Sequence, residues 1–344
     1  MKRIVAFLSV VCMVFMASTL VSAQTQMAAS SSQVTLSGKG SSDNSGWLTV
    51  EPAISVGYLC NLGTTEYTLT ARAAGIGGVK ERLFEYKNSP AIYLAGRLPI
   101  TFGKRLEVAL SGSWGIPAGA TELNHNDFAL PHEGAPLGGR SWDTETTWVT
   151  GDFQLSYAII KDFSIIKAVA PVGGLRYDYW RTTFDDPHKV APGFAVAAPT
   201  DTAKFYTSTL LPYVGLKATI GGLKIGVFGG DLKLGAIGGW TAWGKVKHYE
   251  TRDAAGPRHD TFKGDLRNSG YLFDFGEFFI DYTVISFPLS QKIKGSLSIF
   301  AKYNLFNATG KLDGIRVTSG EQDTFDFKID RASVAGGISV ALKF

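Results

Sequence analysis

The sequence predicts an all-β fold: a secreted, transmembrane, antiparallel up-and-down β-barrel of about ten strands with long extracellular loops. Three observations predict it. The chain opens with an export signal, its middle alternates apolar and polar residues, and the last alternating run ends on a terminal aromatic residue, Phe344.

The export signal comes first. Lys2 and Arg3 precede an almost uninterrupted apolar run from Ile4 to Leu20, and Val21-Ser22-Ala23 offers small residues for cleavage before Gln24. This is the pattern of a secretory signal peptide, 1–23, removed from the mature protein. Cys12 leaves with it, so Cys60 stands alone and no internal disulfide is expected. Residues 24–45 are rich in Ser, Thr, Gly and Gln without apolar period, as in a flexible periplasmic leader. Residues 46–344 show no composition break and read as one barrel domain.

Composition narrows the class. The net charge of +4 is too small to argue for nucleic acid. After the signal, no stretch approaches the roughly 18 apolar residues of a spanning helix. Glycine is abundant at 40 residues, aromatics are 12% and charged residues only 19%. A membrane barrel explains this balance, with apolar and aromatic residues outside and small or polar ones inside.

Alternation carries the strand assignments, because successive strand residues point to opposite faces. Leu106, Val108, Leu110, Gly112 and Trp114 alternate with Glu107, Ala109, Ser111 and Ser113. Phe153, Leu155, Tyr157 and Ile159 alternate with Asp152, Gln154, Ser156 and Ala158. The last strand carries Ile338, Val340, Leu342 and Phe344 on one face. Ten segments are expected: 47–61, 80–100, 105–116, 146–160, 164–183, 205–220, 223–247, 262–287, 292–306 and 323–344. Tight connections at Phe102-Gly103-Lys104, Lys161-Asp162, Gly221-Gly222 and 288–291 alternate with longer ones at 62–79, 117–145, 184–204, 248–261 and 307–322. Outer-membrane barrels have short periplasmic turns and long external loops, so both termini are expected on the periplasmic side. Closure also removes the unpaired edges that hydrocarbon does not tolerate. The aromatic end is the kind of signal read by the barrel-assembly machinery, an expected partner during biogenesis. A ten-stranded barrel is narrow and largely filled by side chains, which argues against simple diffusion and puts function on the external rim.

Several short stretches resemble the omptin family, the outer-membrane endoproteases of Gram-negative bacteria. They are Lys80 to Lys87 with Ala91-Ile92, Leu110 to Trp114, Gly174-Leu175-Arg176-Tyr177, Pro212 to Leu216, and Gly239-Trp240 with His248-Tyr249 further on. Their order along the chain carries more weight than any one of them. The resemblance implies a ten-stranded barrel and an aspartic-type endopeptidase. In that family an Asp-x-Asp pair faces an Asp-x-His dyad across an external cleft, and together they activate a water. The matching positions here are His125-Asn126-Asp127-Phe128 and Val246 to His248. The second acid is kept as Asp127 and the histidine as His248, while His125 and Val246 stand where acids are expected. Asp127, His248 and His125 are therefore the candidate catalytic residues. Asp143 and Glu145 form a second carboxylate pair that could supply an acid, although simple alternation gives them the outward parity of Phe153. His132-Glu133 reads as a solvated loop. The resemblance also implies lipopolysaccharide as an activator, held by basic residues on the barrel wall. Arg176 matches one of these, with a structural, lumenal arginine as the alternative. No other cofactor is implied and no metal site is assigned, although a cluster of Asp127, His125 and His248 could bind a divalent metal or orient a water.

No phosphate-binding glycine loop, Cys-x-x-Cys pair, His-Glu-x-x-His helix or serine elbow is present. Two readings follow. One is an omptin-like endopeptidase that cleaves peptides at the cell surface. The other is a non-catalytic outer-membrane barrel on the same scaffold, serving adhesion, ligand binding or membrane structure.

Overall fold

The computed structural model describes residues 47–60, 64–71, 80–87, 90–103, 105–119, 121–129, 138–190, 202–225, 228–252, 258–267, 270–291, 293–316 and 322–344. The expected signal peptide and leader lie outside the described residues.

Among the described residues, seventeen strand segments join end to end into ten staves. The first stave runs through Leu48–Val50, Ala53–Cys60 and Thr64–Ala71, and the second through Lys80–Lys87 and Ala91–Phe102. The third takes Leu106–Pro117 and Thr121–Ala129, and the fourth is Gly138–Tyr157, followed by a short Ile160–Phe163 segment. The fifth and sixth are Ile166–Val190 and Thr202–Ile225. The seventh joins Phe228–Gly239 to Trp243–Arg252, and the eighth joins Arg258–Arg267 to Phe275–Pro288. Lys294–Arg316 and Gln322–Lys343 complete the set. Each stave pairs antiparallel with the next. The tenth returns to the first, with Val340 opposite Ile54 and Ile329 opposite Tyr67, so the sheet closes.

The end with the short turns also holds the barrel's first and last described residues. The Phe344 amide donates to the Val50 carbonyl at 2.9 Å, and the Gly103 amide to the Trp47 carbonyl at 2.9 Å. Each of the ten expected segments falls on its own stave, except that 223–225 belongs to the end of the sixth rather than the start of the seventh. The staves run further than expected at the opposite, loop end: Thr121–Ala129, the start of Gly138–Tyr157, and Asn307 to Arg316 were all expected as loop. Above the bilayer a strand no longer needs an apolar outer face, so the alternation that marks it within the membrane disappears. The Gly221-Gly222 pair is another correction. The strand passes through it to Ile225 with a register shift between Ile220 and Leu223, and Gly222 takes φ +67°. A left-handed glycine serves a bulge as readily as a turn.

Sidedness follows the alternation. On the fourth stave Val149, Phe153, Leu155 and Tyr157 face outward, while Trp148, Thr150 and Ser156 are buried inside. Ile54, Val56, Leu110, Leu216, Ile338 and Val340 continue the exposed apolar band around the barrel. Tyr177, Trp114 and Trp243 stand exposed toward its loop-end margin, the place of an interfacial aromatic girdle.

Candidate functional site

The interior has two parts. Toward the short turns it is polar and hollow, with a cavity of about 420 Å³. Here Arg176 reaches two carboxylates: its Nε donates to Asp178 Oδ1 at 2.8 Å and its Nη1 to Glu277 Oε2 at 2.7 Å. Thr150 donates to the same Asp178 oxygen at 2.8 Å, and the Arg176 guanidinium lies 4.6 Å from the Phe275 ring centroid. The Tyr213 hydroxyl donates to Asp152 Oδ1 at 2.7 Å. Arg97 and Lys217 both donate to Glu107 Oε1, at 2.9 and 2.8 Å.

An aromatic layer roofs this cavity. Trp148 stacks on Trp180 at 5.4 Å and on Tyr93 at 6.2 Å, and Tyr93 meets Phe300 at 5.6 Å. The Arg331 guanidinium covers Trp180 at 3.9 Å, a cation–π contact. Gly115 makes the layer possible, because a Cβ there would sit 1.7 Å from a Trp148 ring carbon.

Toward the loop end the described interior turns apolar. Phe205, Val246, Phe262, Leu312, Phe327 and Ile329 pack into one buried cluster. His248 belongs to this neighbourhood. It is 2% exposed, with its ring between Phe205 at 6.3 Å and Phe262 at 6.0 Å. Its residue two before, Val246, is buried in the same cluster. The seventh stave therefore puts Val246 and His248 inside and Lys245 and Lys247 outside. A general base must come within hydrogen-bond reach of the water it activates. At 2% exposure, with aromatic rings on two sides, His248 has almost no contact with bulk water.

The other expected site residues are placed as follows. Asp127 lies opposite Arg82 and Gly138 in the backbone register, and His125 opposite Phe84 and Arg140. Their side chains, like His132-Glu133, fall outside the described residues. Asp143 and Glu145 alternate with inward-facing Thr144 and Thr146, so they take the outward parity expected from sequence, and Glu145 is exposed. Arg176 is corrected. It is 8% exposed and points into the lumen, where two carboxylates engage it, so it cannot also face lipopolysaccharide on the outer wall.

Sequence reasoning missed a second feature, on the outer wall above the aromatic girdle. A groove of about 520 Å³ is lined by Tyr179, Lys204, Tyr206, Lys245, Lys247 and Tyr249, among others. Tyr206 meets Tyr249 edge-on at 5.7 Å, and Arg181 lies 6.0 Å from the Tyr206 ring. Lys245 pairs with Asp265. The signal was available in Lys204-x-Tyr206 and Lys245-x-Lys247-x-Tyr249, which alternate with the inward Phe205, Val246 and His248.

No family model and no curated protein matches the chain. Among solved structures it is similar to the outer membrane protease OmpT from Escherichia coli. The TM-score is 0.61 at 12% identity, covering 86% of this chain and 97% of that one. The fold is that of an outer-membrane β-barrel. A match to the outer membrane protein OprG from Pseudomonas aeruginosa has a TM-score of 0.30 at 13% identity, covering 86% and 95% of the two chains. At 12% identity the likeness to OmpT reaches the fold and goes no further.

Proposed function

We propose that this protein is a non-catalytic outer-membrane barrel on an omptin-like scaffold, and that it binds anionic lipid at its outer wall. The observation that carries the reading is the enclosure of His248 beside Phe205 and Phe262, with Val246 at the position of the dyad's acid. Valine neither orients an imidazole nor stabilises its cation.

The outer-wall groove supplies the binding side. Its lysines and tyrosines stand just beyond the apolar band, at the depth of lipid headgroups. Ammonium groups there suit phosphate oxygens, and flanking tyrosines suit the boundary between chain and headgroup. Lipopolysaccharide is thus a ligand in this reading, held by Lys204 and Lys247 rather than by Arg176. The location is the cell outer membrane after signal-directed export, with the barrel-assembly machinery as the partner in biogenesis.

The test is peptide cleavage by the refolded protein with lipopolysaccharide, comparing wild type with His248→Ala and Asp127→Ala. The reading expects no cleavage that depends on either residue. Cleavage abolished by both substitutions would establish the endopeptidase reading instead. Calorimetric titration of lipopolysaccharide checks the second half. Lys204→Ala with Lys247→Ala is expected to weaken binding at least fivefold.

A further inference from the structure

The cavity in the polar half of the lumen takes no part in the proposed lipid binding, and its charges are unevenly presented. Arg97 and Lys217 share the single oxygen Oε1 of Glu107. Lys233 approaches Glu51 only to 3.7 Å, and Lys302 approaches Glu277 only to 3.9 Å. Both distances exceed that of a good ammonium–carboxylate hydrogen bond. The four cationic side chains stay 20–40% exposed inside the barrel.

The carboxylates are more fully engaged. Glu277 is 11% exposed and gives Oε2 to Arg176. Asp178 accepts from Arg176 and Thr150, and Asp152 from Tyr213. Asp281 is the exception: its Oδ1 is buried without a hydrogen-bond partner among the described residues. Glu107 and Glu51 remain partly open, at 24% and 33%, and Asp152 and Asp281 are half-buried. The cavity wall holds both signs, with eight Arg and Lys side chains against six Asp and Glu, an excess of two cations.

We propose that this cavity is a binding site for a small oxyanion, a short carboxylate or a phosphate, entering from the short-turn end. Its volume of about 420 Å³ lies within the usual range for small-molecule sites. A guanidinium beside ammonium groups matches the geometry of carboxylate or phosphate oxygens. The lining reaches from Arg105 and Lys161 at the turns to the layer of Trp148, Trp180 and Arg331. That layer ends the site, so the ligand is held rather than passed through.

Inorganic phosphate and succinate, titrated separately into the detergent-solubilised full chain at low salt, test the proposal. Binding is read by calorimetry and by tryptophan fluorescence, since Trp148 and Trp180 roof the site. Saturable binding of at least one probe is expected. Arg97→Gln with Lys217→Gln should weaken it at least tenfold, and Lys302→Gln alone at least threefold. Outward-facing Lys263→Ala should leave it unchanged. Heat-shifted electrophoretic mobility selects variants that fold, and Lys302→Gln, at a loosely paired and partly exposed position, serves if the double variant does not. The absence of saturable binding by wild type, or equal binding by the lumenal variants, overturns the proposal.

Discussion

The two halves of this lumen solve the same packing problem in opposite ways. The half nearer the short turns is filled by Arg176, Asp178, Glu277, Tyr213 and Asp152, joined by hydrogen bonds around a cavity. The half nearer the loops is filled, in its described part, by Phe205, Phe262, Leu312, Phe327 and Ile329, with His248 among them. The difference tracks what lies outside the wall. Where lipid surrounds the barrel, Val214 and Leu216 face outward and Tyr213 and Lys217 face inward. Higher on the same stave, Lys204, Tyr206 and Ser208 face outward and Ala203 and Phe205 inward. The apolar parity reverses along one strand. A membrane barrel is thus an inside-out protein over one stretch and an ordinary water-soluble sandwich of side chains over the next.

The sharpest way to break this contrast is to empty the apolar half. Phe205→Ala and Phe327→Ala, each at fully buried positions, should cost about 3–5 kcal/mol apiece, measured by denaturant unfolding from lipid vesicles. In the polar half the fragile element is charge pairing. Glu277→Gln should cost about 3 kcal/mol, because it leaves the buried Arg176 with one carboxylate instead of two. A cost near zero there would mean that water reaches Arg176 freely.

The boundary between the halves can be disturbed by adding a single carbon. Gly115→Ala should push Trp148 off its stack and destabilise the barrel by about 1–3 kcal/mol, with a change in near-ultraviolet circular dichroism from the Trp148–Trp180 pair. Smallest is the effect expected on the outer wall. Lys204→Ala should change stability by less than about 0.5 kcal/mol, since surface lysines contribute little to folding, while still weakening lipopolysaccharide binding.

Much of the lipid-facing fold was legible in the sequence, for a physical reason. Within the bilayer, alternation is enforced at every position, so Leu106 to Trp114 and Phe153 to Ile159 announce their strands. Beyond it, Thr121–Ala129 is strand without that signature. The site was less legible, because motif matching asks which residue is present and alternation asks where it points. Arg176 stands between Leu175 and Tyr177, both exposed to the outside, so parity alone puts it in the lumen despite its resemblance to a lipid-binding arginine. His248 is similar: its flanks Lys247 and Tyr249 take the outer face and leave it the inner one. The charge network between staves was not legible, since Arg97, Glu107 and Lys217 come together only when three strands are set in register.

The central claim, that the loop-end interior encloses His248 away from water, is tested most directly by carbethoxylation. The folded barrel in detergent is treated with diethyl pyrocarbonate, and modification at each histidine is read by mass spectrometry against the unfolded chain. His248 is expected to be protected by at least tenfold in the folded barrel. Modification of His248 at the unfolded rate would contradict the account and return this histidine to the list of groups that can activate a water.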